Sequence, residues 1–296
     1  MKIYYYAYTG HKYGLDRARR GVAILRKLKQ EGFDTMLLVN DFRAGLAVKD
    51  LGIPESIHIE TVQDIDAVAK IGDVVIIDSP EDDHGRLVKY CSDFKKVFRF
   101  AEHDEDKSIH GEIMLTIDCK DDDENCISSL IVDDIYCQEH KKEDKRVFFL
   151  GDSDADKTIL SNATFFKENP MELLLGHYFY VKYESDLEKL FTTLHESDEY
   201  VDLICSSSHI VTSSFQTALE AYATGAKVTF IELKKLNREQ KKLLELLKIT
   251  SVIGFNNNNY NKVLYKEGEA KIGYRCVNIE KNRDIIKKLI KNYDLL

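Results

Sequence analysis

The sequence predicts an α/β protein of two Rossmann-like domains with a cleft between them, and three observations carry that reading. Short β-branched and aromatic runs alternate with amphipathic helical stretches. The alternation fades and restarts near residue 145, and the first apolar run passes straight into a glycine-bearing loop and a helix. A chain of 296 residues also exceeds the usual size of one hydrophobic core, so an N-terminal domain over 1–145 and a C-terminal domain over 146–296 are expected.

The first half opens with a strand over 3–7. Gly10 and Gly14 then permit a tight turn, and a helix over 17–31 carries apolar residues through Leu25 and Leu28 until Gly32 ends it. Strands over 35–39, 56–59 and 74–78 follow, separated by helices over 42–51 and 62–71. A helix over 85–91 and strands over 96–100 and 112–116 continue the pattern. Alternation of this kind implies a parallel sheet covered on both faces, with right-handed crossovers and ligands at the C-terminal ends of the strands. Between Asp118 and Lys145 charge rises and the pattern weakens, which fits a linker with a short extended piece over 129–132. The alternation then resumes with strands over 146–150, 179–181, 201–205 and 227–232 and helices over 158–166, 185–197, 213–224 and 238–247. A last helix is expected over 282–293, and the asparagine run 256–259 reads as a polar turn.

Composition narrows the function classes. Hydrophobic residues make up 44% of the chain and charged residues 31%, a globular balance. A formal net charge of −9 argues against a general nucleic-acid binder, which relies on a concentrated basic surface. Neither a signal-type apolar leader nor a membrane-length apolar run is evident, so a cytoplasmic protein without a membrane span is expected. The six cysteines include no Cys-x-x-Cys pair, which argues against a zinc site and for free thiols.

Four segments carry candidate chemistry. In the first loop, His11 is a candidate general base or phosphate contact. Asp16 is placed to cap the following helix or to act as a base, and Arg17 and Arg20 lie one turn apart, within reach of one anion. The apolar run 74–78 ends in Asp78 at the sheet's C-terminal edge, and Glu102, His103 and Asp104 follow the next strand in an equivalent place. Gly151-Asp152-Ser153-Asp154 reads as a strand-to-helix loop able to aim backbone N–H groups at a diphosphate, although any such junction favours these residues for turn reasons. The fourth, residues 205–221, reads as a strand end, a loop containing Ser206, and a helix introduced by Thr212 and Ser213. Its Gln216 and Glu220 share one face, hydroxyls standing ready for a phosphate and a carboxylate for ribose hydroxyls.

Together these segments resemble the GT-B fold nucleotide-sugar enzymes, nearest the branch that contains the UDP-sugar hydrolase of pseudaminic acid biosynthesis and the lipid II N-acetylglucosaminyltransferase. The resemblance is distant, covers most of the chain, and is best over 201–233, where Thr212, Glu220 and Gly225 follow the donor-nucleotide motif in order. It implies that Glu220 binds the ribose of UDP, that the Gly151 loop lies by the diphosphate, and that Gln240 begins a helix near the sugar. In the first domain it matches Gly14 with its loop, Asp78 and the acidic turn after Phe100.

Two departures stand out. The hydrolase's Gly-x-Gly-His-x-x-Arg loop is here Gly14-Leu15-Asp16-Arg17-Ala18-Arg19, leaving Asp16 or His11 for the base, and Asp152 puts a carboxylate where an anion would bind. The resemblance thus implies a nucleotide-sugar hydrolase or glycosyltransferase of cell-surface glycan assembly. Its partner is a UDP-linked sugar held between the domains, and it calls for no metal or other cofactor because helix N-termini and Arg17 or Arg20 can meet the leaving diphosphate. The alternative is a non-catalytic GT-B-like module that binds a sugar nucleotide or a protein.

Overall fold

The computed structural model describes residues 1–119, 123–179 and 181–264. The chain divides into two compact units at Asp133/Asp134, each with its own parallel sheet.

The first unit runs β1 (Ile3–Ala7), α1 (Asp16–Gln30), β2 (Thr35–Val39), α2 (Phe42–Asp50), β3 (Ser56–His58), α3 (Ile65–Val68), β4 (Val74–Asp78), α4 (Arg86–Asp93), β5 (Lys96–Phe100), β6 (Ile113–Thr116) and β7 (Cys126–Ser128). Its strand order is β3-β2-β1-β4-β5-β6-β7, all parallel. The order reverses direction between β1 and β4, which opens a crevice at the C-terminal ends of those two strands. Both strands are buried along their whole length, as central parallel strands must be, and this is why they read as unbroken apolar runs. Successive side chains of β1 point to opposite faces. Tyr4 and Tyr6 enter a core with Val62, Ile65, Leu87 and Tyr90, while Tyr5 faces Gly21 of α1.

The second unit runs β8 (Glu143–Phe149), α5 (Thr158–Ser161), α6 (Ala163–Glu168), β9 (Glu172–Leu174), α7 (Val181–Leu187), β10 (Leu194–His195), α8 (Tyr200–Ser206), β11 (Ser207–Thr212), α9 (Phe215–Ala223), β12 (Lys227–Glu232), α10 (Arg238–Leu246), β13 (Thr250–Ile253) and α11 (Asn257–Leu264). Its order, β10-β9-β8-β11-β12-β13, repeats the first sheet's winding, with the reversal between β8 and β11. Phe148, Phe165, Phe166, Phe191 and Tyr260 fill one side of it, with Phe166 centred 4.9 Å from both Phe148 and Phe191.

Several expectations are corrected here. Residues 201–205 form part of a helix, because Tyr200, Leu203 and Ile204 are buried at helical spacing. The polar segment after it is the strand β11, in which Ser208 donates to the Lys145 carbonyl of the neighbouring strand at 3.2 Å. The strand expected over 179–181 lies earlier, at β9, and Phe179 instead packs on Tyr183 of α7 at 5.8 Å. The expected helix over 158–166 breaks at Asn162, whose Nδ2 donates to the Thr158 carbonyl. Asn256 accepts from the Asn259 N–H and starts α11 where a turn was read.

In the segment read as a linker, β7 joins the first sheet, Leu130, Ile131 and Val132 are buried, and Cys119 and Cys126 form a disulfide where free thiols were expected. The helix expected over 282–293 lies outside the described residues. Among the described residues no helix is long and apolar enough to cross a membrane.

Candidate functional site

Each unit places sequence-predicted residues at its own switch point. In the first, the loop between β1 and α1 is closed by the Tyr13 and Gly14 N–H groups donating to the Gly10 carbonyl at 3.0 and 2.8 Å. Gly10 and Gly14 have φ of +133° and +70°, which L side chains avoid. His11 is exposed at the tip. Leu15 takes the cap position of α1, so Asp16 falls one residue inside the helix, where it meets Arg19 Nη1 at 3.2 Å.

Asp78 is fully buried at the end of β4. Arg20 grips it with Nε to Oδ2 at 2.9 Å and Nη2 to Oδ1 at 2.8 Å, and the Tyr5 hydroxyl donates to Oδ2 at 2.6 Å. Arg17 bridges outward, its Nε 3.4 Å from Asp78 Oδ1 and its Nη2 2.7 Å from Glu102 Oε2. Burial disfavours the charge on Arg20, but Asp78 outweighs it and holds the guanidinium firmly protonated. Burial and then the Asp78 charge push the Tyr5 hydroxyl well above the usual tyrosine range, which keeps it a donor. The structure therefore brings Arg17, Arg20, Asp78 and Glu102 together, with both arginine charges turned toward carboxylates of the same unit.

In the second unit Gly151, at φ +135°, turns the chain after β8, and the Ser213 hydroxyl donates to the Leu150 carbonyl, so the loops after β8 and β11 lie side by side. Asp154 is buried and accepts from the Thr158 and Ile159 N–H groups at 2.6 and 3.0 Å and from the Tyr183 hydroxyl, capping α5. Thr212 Oγ1 accepts from the Ser214 N–H at 3.0 Å, and Ser214 Oγ caps α9 by accepting from the Thr217 N–H at 3.0 Å.

Glu220, 1% exposed, accepts from the Tyr200 hydroxyl at 2.6 Å and from Gln216 Nε2 at 2.9 Å, so the Gln216–Glu220 face predicted from spacing is turned inward. Ser206 ends α8 at the opposite edge of the sheet, about 20 Å along β11 from Ser213 at ~3.3 Å per residue. Gln240 closes a capping box with Asn237 at the start of α10. Among the described residues no three His, Cys, Asp or Glu side chains assemble into a metal-binding group.

Sequence reasoning missed His177. It follows β9, and its Nδ1 lies 3.5 Å from Asp152 Oδ1 beside the Gly151 turn. No spacing signal marks it, because a lone histidine in a loop acquires meaning only from the strand next to it.

Comparison with known proteins adds the fold. No family model matches the chain, and no curated protein matches it by sequence. Solved structures do match over the whole chain. S. aureus MnaA, solved with UDP, gives a TM-score of 0.63 at 13% identity, covering 100% of this chain and 98% of that one. The likeness is to the GT-B fold. A putative UDP-N-acetylglucosamine 2-epimerase from Listeria monocytogenes gives 0.62 at 11% identity, covering 100% and 97%. The spinosyn forosaminyltransferase gives 0.60 at 11% identity, covering 99% of each chain. Both sheets of this chain have the Rossmann-like winding of GT-B proteins, and at these identities the shared property is the fold.

Proposed function

We propose that this chain is a cytoplasmic nucleotide-sugar enzyme of glycan biosynthesis, a glycosyltransferase or hydrolase acting on a UDP-linked sugar. The reading is supported by one observation above the others: Gly151, Thr212, Ser213 and the amino end of α9 cluster at the switch point of the second sheet, where doubly wound sheets bind nucleotides. In this reading the second unit holds the nucleotide, with backbone N–H groups of the Gly151 loop and of α9 facing the diphosphate. His11 or Asp16 of the first unit takes the proton from an acceptor hydroxyl or water as its oxygen bonds to the anomeric carbon. The sugar–phosphate bond breaks, and its electron pair leaves with the nucleoside diphosphate.

A second reading, a non-catalytic relative, draws on the ion cluster of the first unit. Arg17 and Arg20 are engaged by Asp78 and Glu102, and Glu220 is engaged by Tyr200 and Gln216. Thermal unfolding with UDP, GDP, CMP and their sugars tests binding, because a ligand specific for the folded state raises the midpoint. A UDP-selective rise is expected, and no rise with any nucleotide overturns the nucleotide reading. Incubating the bound sugar nucleotide and candidate acceptors with wild type, His11→Ala and Asp16→Ala separates enzyme from binder. Turnover by wild type that falls at least a hundredfold in one variant supports catalysis.

A further inference from the structure

We infer that His177 and Asp152 form an anion-binding dyad in the second unit, with His177 donating a charged hydrogen bond to a diphosphate oxygen and Asp152 orienting it. The inference rests on the nucleotide-sugar reading for its biological ligand, but the dyad itself is built from four observations. Asp152 is 2% exposed, immediately after the Gly151 turn, where a carboxylate by itself would repel an anion. His177 Nδ1 is buried without a hydrogen-bond partner and lies 3.5 Å from Asp152 Oδ1, which puts the carboxylate within ion-pair distance of that nitrogen. The side chain of His177 keeps 15% of its surface exposed, so the ring is not sealed from a ligand. Finally, the backbone fixes the pair. The Tyr178 N–H donates to the Asp152 carbonyl at 2.9 Å, and a Cβ on Gly176 would stand 2.4 Å from the Asp152 main chain, so only glycine lets the two loops approach this closely.

The chemistry follows from the proton count of imidazole. A doubly protonated imidazole donates from both nitrogens, Nδ1 on the Asp152 side and Nε2 toward an anion. In that state the charge on the ring offsets the repulsion that the carboxylate alone would exert on an anion. The loops after β8, β9 and β11 would thus present backbone N–H groups and one charged donor at a common edge of the sheet.

The test is calorimetric titration of the full chain with pyrophosphate, UDP and uridine, using wild type, His177→Gln and Asp152→Asn. Circular dichroism melting within a few degrees of wild type shows that each variant folds. His177→Gln is expected to weaken pyrophosphate and UDP about tenfold, the size of one charged hydrogen bond, and to leave uridine unchanged. Asp152→Asn is the sharper variant because the two possible roles of the carboxylate predict opposite signs. An orienting Asp152 makes Asp152→Asn bind pyrophosphate more weakly, whereas a merely repulsive one makes it bind more tightly. Tighter binding by Asp152→Asn, unchanged pyrophosphate affinity in His177→Gln, or no pyrophosphate binding by wild type overturns the dyad. If wild type binds pyrophosphate through His177 but neither UDP nor uridine, the dyad stands and the nucleotide reading fails.

Discussion

Arg20 and Asp78 face each other in a two-bond fork, 2.9 and 2.8 Å, across the switch point of the first sheet. The carboxylate has no exposure of its own, so these donors and Tyr5 stand where water would otherwise solvate it. Removing one partner of a buried pair leaves a charge that neither water nor protein compensates. Arg20→Ala should therefore lower unfolding free energy by about 3 kcal/mol in urea titration, the smaller end of the usual range because Arg17 remains 3.4 Å away. A loss below about 1 kcal/mol would show that Arg17 and Tyr5 suffice.

Gly21→Ala sets two effects against each other. An alanine in a helix interior gains about 1 kcal/mol over glycine by propensity. Here, however, the new Cβ would lie 2.8 Å from the Tyr5 ring, whose hydroxyl holds Asp78. Overpacking costs about 1–3 kcal/mol, and displacing Tyr5 also loosens its hydrogen bond. The variant should be destabilised by about 1–2 kcal/mol net in chemical denaturation, and a stabilised variant would mean that Tyr5 moves aside freely.

His209 gives the second unit a pH dependence. Burial first, and then the charges of Arg146 and Lys227, push its pKa down from 6.5 to about 3. Arg146 Nε donates to Nδ1 at 3.3 Å, so Nε2 carries the proton and donates to Thr229 Oγ1 at 2.9 Å. The unfolded chain binds a proton near pH 6.5 that the folded chain refuses until about pH 3. The stabilising contribution is thus complete above pH 6.5 and is lost as pH falls through that window. Stability should decline by about 1.4 kcal/mol per pH unit more steeply in wild type than in His209→Gln. Parallel pH profiles from denaturant titrations at pH 7, 6 and 5 would rule this out.

These residues also show how far the sequence can be read. β1 and β4 are legible because a central parallel strand is apolar on both faces, and Asp78 is conspicuous as the polar end of such a run. β11 is hidden because its first three residues are polar, Ser207, Ser208 and His209, and the partners of the last two, Lys145, Arg146 and Thr229, come from strands distant in sequence. Its neighbour α8 is hidden for the converse reason, since the short, largely apolar stretch Val201-Asp202-Leu203-Ile204-Cys205 does not distinguish a short helix from a strand. Glu220 is visible as a position four residues after Gln216, but only the Tyr200 hydroxyl shows that it is turned inward.

Ser214 tests the cap that shapes the candidate nucleotide edge. Its hydroxyl accepts from the Thr217 N–H at 3.0 Å and from the Thr217 hydroxyl at 2.8 Å. Ser214→Ala should cost about 1–2 kcal/mol, and Ser214→Asp, which can accept the same bonds, should recover most of it. Equal stability of the two variants in urea titration would show that the cap contributes little.

Tyr200→Phe asks what Glu220 does. The tyrosine hydroxyl joins Glu220 Oε2 at 2.6 Å to Thr217 Oγ1 at 2.7 Å, so one oxygen atom ties α8 to α9. Deleting it removes a donor from a nearly buried carboxylate while leaving Gln216 on Oε1 at 2.9 Å. The expected loss is about 1–3 kcal/mol by thermal or urea unfolding. If Glu220 is a brace, nucleotide affinity changes little once the folded fraction is taken into account, because the carboxylate serves the helix pair. If it is instead the ribose contact implied by the GT-B resemblance, freeing Oε2 tightens UDP relative to 2′,3′-dideoxy-UDP, since only the former carries the hydroxyls a carboxylate accepts. The inward hydrogen bonds favour the brace, and a selective gain in UDP affinity in Tyr200→Phe would reverse that assignment.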